Sequence, residues 1–146
     1  MPNSEPQKET TDMNITTLDD LLQAARDQPT PQRLLFVFAA AELPDDATAE
    51  ERERFERGEG GALVPQMCVD KSPDELANFA QLKKEAEGMG PDWHMVFAAA
   101  LSGTSDKPPG AQETGEALTA MVEAIRQGFL HNCIPFDAQG HAVELH

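Results

Sequence analysis

RLLFVFAAAE, residues 33–42, is the stretch that decides how this chain folds. Leu34 to Phe38 is an unbroken run of large apolar side chains rich in aromatic and β-branched character. That suits a strand covered on both faces rather than one with a wet side. The alanines that follow are small enough to let helices pack closely against it. The same text returns 59 positions later, where Val37-Phe38-Ala39-Ala40-Ala41 becomes Val96-Phe97-Ala98-Ala99-Ala100. Val64-Pro65 returns as Ile134-Pro135, and the helix-ending Gly58 as Gly128. Two readings are open: an internal duplication of an α-β-α-β unit, or a chance likeness of alanine-rich strands. The charged second helix and the apolar fourth differ sharply, which weighs against duplication.

Working outward, Leu18, Leu21, Leu22 and Ala25 form one apolar stripe on a predicted helix over 18–27, capped by Thr16 or Thr17 and stopped by Pro29 and Pro31. Residues 48–58 predict a surface helix. Thr48 and Glu51 make a capping box, and Phe55 is its one large apolar residue. Residues 62–70 predict a second strand, placed at an edge or a bulge because Pro65 cannot donate to a ladder. Ser72-Pro73-Asp74-Glu75 then predicts a helix running to about Glu87 and burying Leu76, Phe79, Ala80 and Leu82. Residues 93–101 predict the third strand. A long loop over 102–114 leads to a helix burying Leu118, Met121, Val122, Ile125 and Phe129. A fourth strand over 132–136, a turn at 137–140 and a short returning arm complete the pattern.

Strands alternating with helices predict an α/β fold: a single domain over 14–146 behind a disordered tail at 1–13. The sheet is expected to be small, four-stranded and mostly parallel, with flanking helices and right-handed crossovers. Ligands in such sheets bind beyond the carboxyl ends of the strands. That expectation gathers Glu42, Asp45, Asp46, Asp70, Lys71, Ser102, Gly103 and Thr104 into one candidate ligand rim.

The formal charge is −15, from 26 acidic and 11 basic residues. Such a balance argues against nucleic acid and anionic membrane as partners, since both are polyanions, and favours a basic protein partner. No apolar run reaches the ~18–20 residues of a membrane span, and no secretory signal is expected. Cys68 and Cys133 lie in apolar strand-like text and are expected to be reduced and buried rather than bridged, which fits a cytoplasmic setting.

No catalytic residue, metal site or cofactor is expected. His131, Cys133, Asp137, His141 and His146 are ligand-type residues, but their spacing matches no zinc pattern. Cys133 has no base placed to activate it other than His131. Gly58-Glu59-Gly60-Gly61 runs from helix into strand, the reverse of a phosphate cradle. Trp93 and His94 read as packing and strand residues. The charged helix offers a candidate partner face at Glu50, Glu53, Arg54, Glu56 and Arg57.

Three stretches, ALVPQMCVDKSPDEL (62–76), PDWHMVFAAALSG (91–103) and IPFDAQGHAV (134–143), are similar to a family of small bacterial proteins that carry the label "ribonucleotide reductase subunit alpha". The resemblance covers residues 13–145. Reductase catalysis needs a radical cysteine plus a redox pair, and two cysteines cannot supply three in a chain of this length. The label is therefore read as a misnomer, or as a record of association with the reductase.

Three functions are expected in order. First is a non-catalytic protein-interaction or regulatory domain, monomeric or weakly self-associating. Second is a small-molecule-binding domain or enzyme using the rim. Third is self-association through edge strands at Val64-Pro65 or Ile134-Pro135, which proline disfavours.

Overall fold

A computed structural model describes residues 15–57 and 61–144. The expected tail, the Gly58-Glu59-Gly60 stretch and His146 lie outside them. In chain order the elements are α1 (Leu18–Arg26), β1 (Gln32–Glu42), α2 (Ala49–Glu56), β2 (Ala62–Lys71), α3 (Phe79–Gly88), β3 (Met95–Ser102), α4 (Ala111–Arg126) and β4 (Ile134–Asp137). One four-stranded sheet runs in the order β2-β1-β3-β4.

Every pairing in that sheet is antiparallel, which corrects the expectation of a mostly parallel one. The reason lies in the connecting helices. A right-handed crossover needs a helix whose apolar stripe packs on the sheet, and α2 has no buried residue. It cannot lie across the sheet, so the chain turns back beside β1 instead. α4 does carry apolar residues, but it packs over β2 and β1 rather than bridging β3 and β4.

β1 is buried from Leu34 through Ala40, as its unbroken apolar text implies. Alternation along the strand splits the core into two layers. Leu34, Phe36 and Phe38 join α1, α3, Val96, Ala98 and Phe136 on one face. Val37 and Ala39 join Phe97 and Ile125 of α4 on the other. Each fully buried phenylalanine contributes on the order of 2–3 kcal/mol of transfer free energy. The two copies of the repeated pentapeptide lie side by side. Val37 faces Phe97 and Phe38 faces Val96, so an approximate two-fold axis normal to the sheet passes between them. α1 and α3 share a face about that axis, whereas α2 and α4 depart from it.

The helix expected from Ser72 is divided. Pro73–Glu75 forms one 3-10 turn, and α3 starts only at Phe79. Leu76 between them is extended and fully buried. Competing caps cause the break: the Asn78 side chain accepts from Gln81 N at 2.9 Å, and Ala77 N donates to Gln81 Oε1. Arg26 fixes the extended piece by donating to the Leu76 and Ala77 carbonyls. On α4, Ile125 is buried, but Phe129 is 58% exposed, not core as expected.

The two sheet edges are treated differently. Beyond β4, residues 141–143 fold back as an arm. Val143 N donates to Pro135 O and Asp137 N to His141 O, and the arm is tied to the start of α1 through Ala142 N and Thr16 O. β2 forms the opposite edge. Pro65 sits there beside a bulge, where the register shifts between Phe38 and Ala39 and leaves Gln66 as the extra residue. No strand or arm covers the outer side of β2 among the described residues.

Candidate functional site

Antiparallel strands send their carboxyl ends to opposite ends of the sheet, so the single expected rim divides. Glu42, Asp45 and Asp46 follow β1 at one end; Asp70, Lys71, Ser102, Gly103 and Thr104 lie at the other. Glu42 and Leu34, which faces Lys71, are eight residues apart along β1, or about 26 Å at strand rise.

The second group is occupied by structural contacts. Asp70 accepts from Arg33 at 2.6–2.7 Å, and Arg33 also reaches Glu75. Lys71 pairs with Glu85 at 2.8 Å. That hydrogen bond holds the Glu85 carboxyl below its ordinary range, and the Ser72 N–H does the same for Glu75, with help from Arg33. Ser102 Oγ is bonded to the buried Gln32 amide. Gly103 N donates to Pro31 O, and a Cβ on Gly103 would overlap the Lys107 carbonyl. Thr104 exchanges main-chain hydrogen bonds with Lys107. The sequence hinted at this ion cluster only in Arg33, the single charge before a wholly apolar run.

In the first group Glu42 and Asp46 are exposed, and the Asp45 carbonyl accepts from Arg52 at 3.0 Å. That last contact belongs to α2, whose residues fall on two opposite stripes. Thr48 Oγ1 accepts from Glu51 N at 3.1 Å, and Glu51 Oε1 accepts from Thr48 N at 2.8 Å. Arg52 ties the helix to the loop before it, and Phe55 is half-buried against Gly61. These positions, i, i+3, i+4 and i+7, anchor the helix. Glu50, Glu53, Arg54 and Arg57 have the same spacing on the opposite side, with Glu56 on the flank, and all five are exposed. The stripe is mixed in sign, three carboxylates beside two guanidiniums, within a strongly acidic chain.

Among the described residues, the ligand-type side chains near the C-terminus do not converge. His131 and His141 are exposed, and His141 Nδ1 is 3.9 Å from Asp137. Cys68 is exposed on the edge strand β2, not buried as expected; Cys133 is half-buried, its thiol donating to Leu130 O at 3.5 Å, and burial pushes its pKa up to about 11. A thiol held neutral in this way is a poor nucleophile at physiological pH. Trp93 stacks edge-on to Phe38, ring centroids 5.0 Å apart, and His94 Nδ1 accepts from Ala41 N. Both are packing residues of the sheet.

A cleft of about 800 Å³ opens where β3 runs on past the short β4. Leu21 and Ala25 of α1, Ala98 and Ala100 of β3, and Ile134 line it. Its one buried polar side chain, Gln32, is hydrogen-bonded to Thr30 and Ser102, and Gln28, His131 and Asn132 stand on its lining. Among the described residues no helix is long and apolar enough to cross a membrane. No family model, curated protein or solved structure matches the chain.

Proposed function

We propose that this is a non-catalytic protein-interaction domain that binds its partner through the outward stripe of α2. The supporting observation is the division of that helix. Thr48 and Glu51 cap it, Arg52 ties it to the loop before it, and Phe55 is half-buried against Gly61. Glu50, Glu53, Arg54, Glu56 and Arg57 are exposed on the other side of this capped helix. A helix that adds nothing to the core yet is fixed at both its cap and its loop is suited to presenting charge in a set geometry. The surplus acidity around the stripe selects a partner of basic character and steers its approach. If the captured partner is a reductase subunit, the family label gains a literal meaning.

Reversal of the three carboxylates, Glu50→Lys with Glu53→Lys and Glu56→Lys, tests the face. The variant should fold normally, since exposed positions shift stability by only about 0.5 kcal/mol each. In pull-downs from cell extract, the wild-type chain should capture one stoichiometric partner at low salt and release it at high salt, and the variant should capture none. Equal capture by both chains would place the binding surface elsewhere.

A further inference from the structure

We propose that the open end of β3, Ala100–Ser102, takes up an extended, uncharged peptide segment of a partner as an added antiparallel strand. This goes beyond the α2 reading and does not depend on it.

The ladders locate the free main-chain groups. Gly103 N donates to Pro31 O, and the pairing of β1 with β3 runs from Gln32–Ser102 to Ala39–Met95 without a register shift. Odd-numbered residues of β3 therefore bond to β1, and even-numbered ones face β4. The β4 side agrees independently. Val143 N donates to Pro135 O and Asp137 N to His141 O, which leaves Ile134 and Phe136 to bond Ala98 and Val96. β4 begins only at Ile134, and the chain before it turns, with Cys133 N donating to Leu130 O. Ala100 and Ser102 thus direct two N–H and two C=O groups away from β1. Among the described residues, no hydrogen bond reaches these four groups.

The cavities beside this edge define what fits it. On the α1 face, next to Ala100, lies the cleft of about 800 Å³ walled by Leu21, Ala25 and Ile134. On the α4 face, next to Leu101, lies a second cavity of about 280 Å³ walled by Leu35, Met121 and Phe129. Both are lined by Ala99, Ala100, Asn132 and Cys133, so they meet at the same stretch of strand edge. Successive side chains of a strand point to opposite faces. A peptide paired with this edge therefore sets the residue opposite Ala100 in the cleft and the one opposite Leu101 in the second cavity. Its main chain supplies the C=O and N–H groups that Ala100 and Ser102 lack, about four hydrogen bonds in all. Phe129 is 58% exposed, an aromatic ring at the rim with apolar surface left to cover. Charge selects the occupant further. No Asp, Glu, Lys or Arg lines either cavity, in a chain with 26 acidic and 11 basic residues. A charged side chain inserted there would lose water and gain no counter-charge, so the inserted residues are uncharged.

The probe is the blocked peptide acetyl-Ser-Val-Leu-amide, whose leucine falls opposite Ala100 and whose valine falls opposite Leu101. Titrated to about 1 mM into the isotope-labelled full chain, it should shift the amide resonances of Ala100 and Ser102 and slow their hydrogen exchange. The effect should be alike at low and high salt, unlike partner capture through α2. It should also survive the triple charge reversal on α2, so the two readings fail separately. Methylating the peptide's leucine nitrogen removes the donor to Ala100 O and should abolish the shifts. Methylating its valine nitrogen, which points away from β3, should leave them. Phe129→Ala should weaken binding about tenfold. No shift at Ala100 and Ser102 by about 1 mM overturns the proposal. So do equal shifts from the two methylated peptides, which would mark apolar uptake into the cavities without strand pairing.

Discussion

Phe38→Ala should destabilise the protein by about 3–5 kcal/mol and lower its melting temperature by roughly 10–20 °C. Phe38 is fully buried and stands beside the two-fold axis at the centre of the sheet, opposite Val96 on one side and Met67 on the other. Its ring also meets the edge of Trp93 at an interplanar angle of 70°. Truncation removes the ring's transfer free energy and leaves a cavity that neighbouring strands cannot close, because each is fixed by its ladder. The same change frees Trp93, so its fluorescence should shift towards that of a solvated indole before unfolding begins. Phe129→Ala is the control. At 58% exposure its loss should cost about 0.5 kcal/mol or less. If Phe38→Ala and Phe129→Ala cost the same in denaturant melts, the two-layer core described here is wrong.

Gly140→Ala should cost about 2–4 kcal/mol, far more than its size suggests. Gly140 has φ +85°, in the left-handed region that side chains disfavour, and an added Cβ would meet the Phe79 ring at 2.7 Å. Its carbonyl accepts from Leu18 N at 2.8 Å, and the turn it closes begins the arm that covers β4. Strain there therefore acts on the first turn of α1, on the core face of α3 and on the guarded edge together. Gly128 separates the two causes. It has φ +84° but open space around it, so Gly128→Ala should show the backbone penalty alone, about 1–2 kcal/mol. Amide hydrogen exchange at Ala142 and Val143 should rise in Gly140→Ala and stay unchanged in Gly128→Ala. Equal behaviour of the two variants would mean that the arm is not held through Gly140.

Much of the local structure was legible because its determinants are local. Thr48 with Glu51 forms the two-way capping box that the text places there, and Thr17, one of the two caps expected for α1, forms another with Asp20. Pro65 lies both at an edge and beside a bulge, for the reason a missing N–H gives. Strand direction was not legible from apolar pattern, because β1 buries both faces whether its neighbours run parallel or antiparallel. A signal for antiparallel return was nonetheless present in α2, whose single large apolar residue, Phe55, cannot seat a crossover helix on a sheet. The Asn78 to Gln81 cap was likewise readable, but it competes with the Ser72 cap, and only burial of Leu76 decides between them.

The candidate rim failed with strand direction, since its premise was one shared end of a parallel sheet. The charged stripe on α2 did not depend on that premise. Glu50, Glu53 and Arg54 were placed by helical spacing alone, and the anchors opposite them confirm which side of the helix faces outward.

A photoreactive amino acid placed at Glu53 on α2, with Glu116 on α4 as the exposed control, tests the partner face most directly. Irradiated at low salt in cell extract, the Glu53 probe should give one crosslinked adduct that disappears at high salt, and the Glu116 probe should give none. An adduct at Glu116 and none at Glu53 would contradict the account.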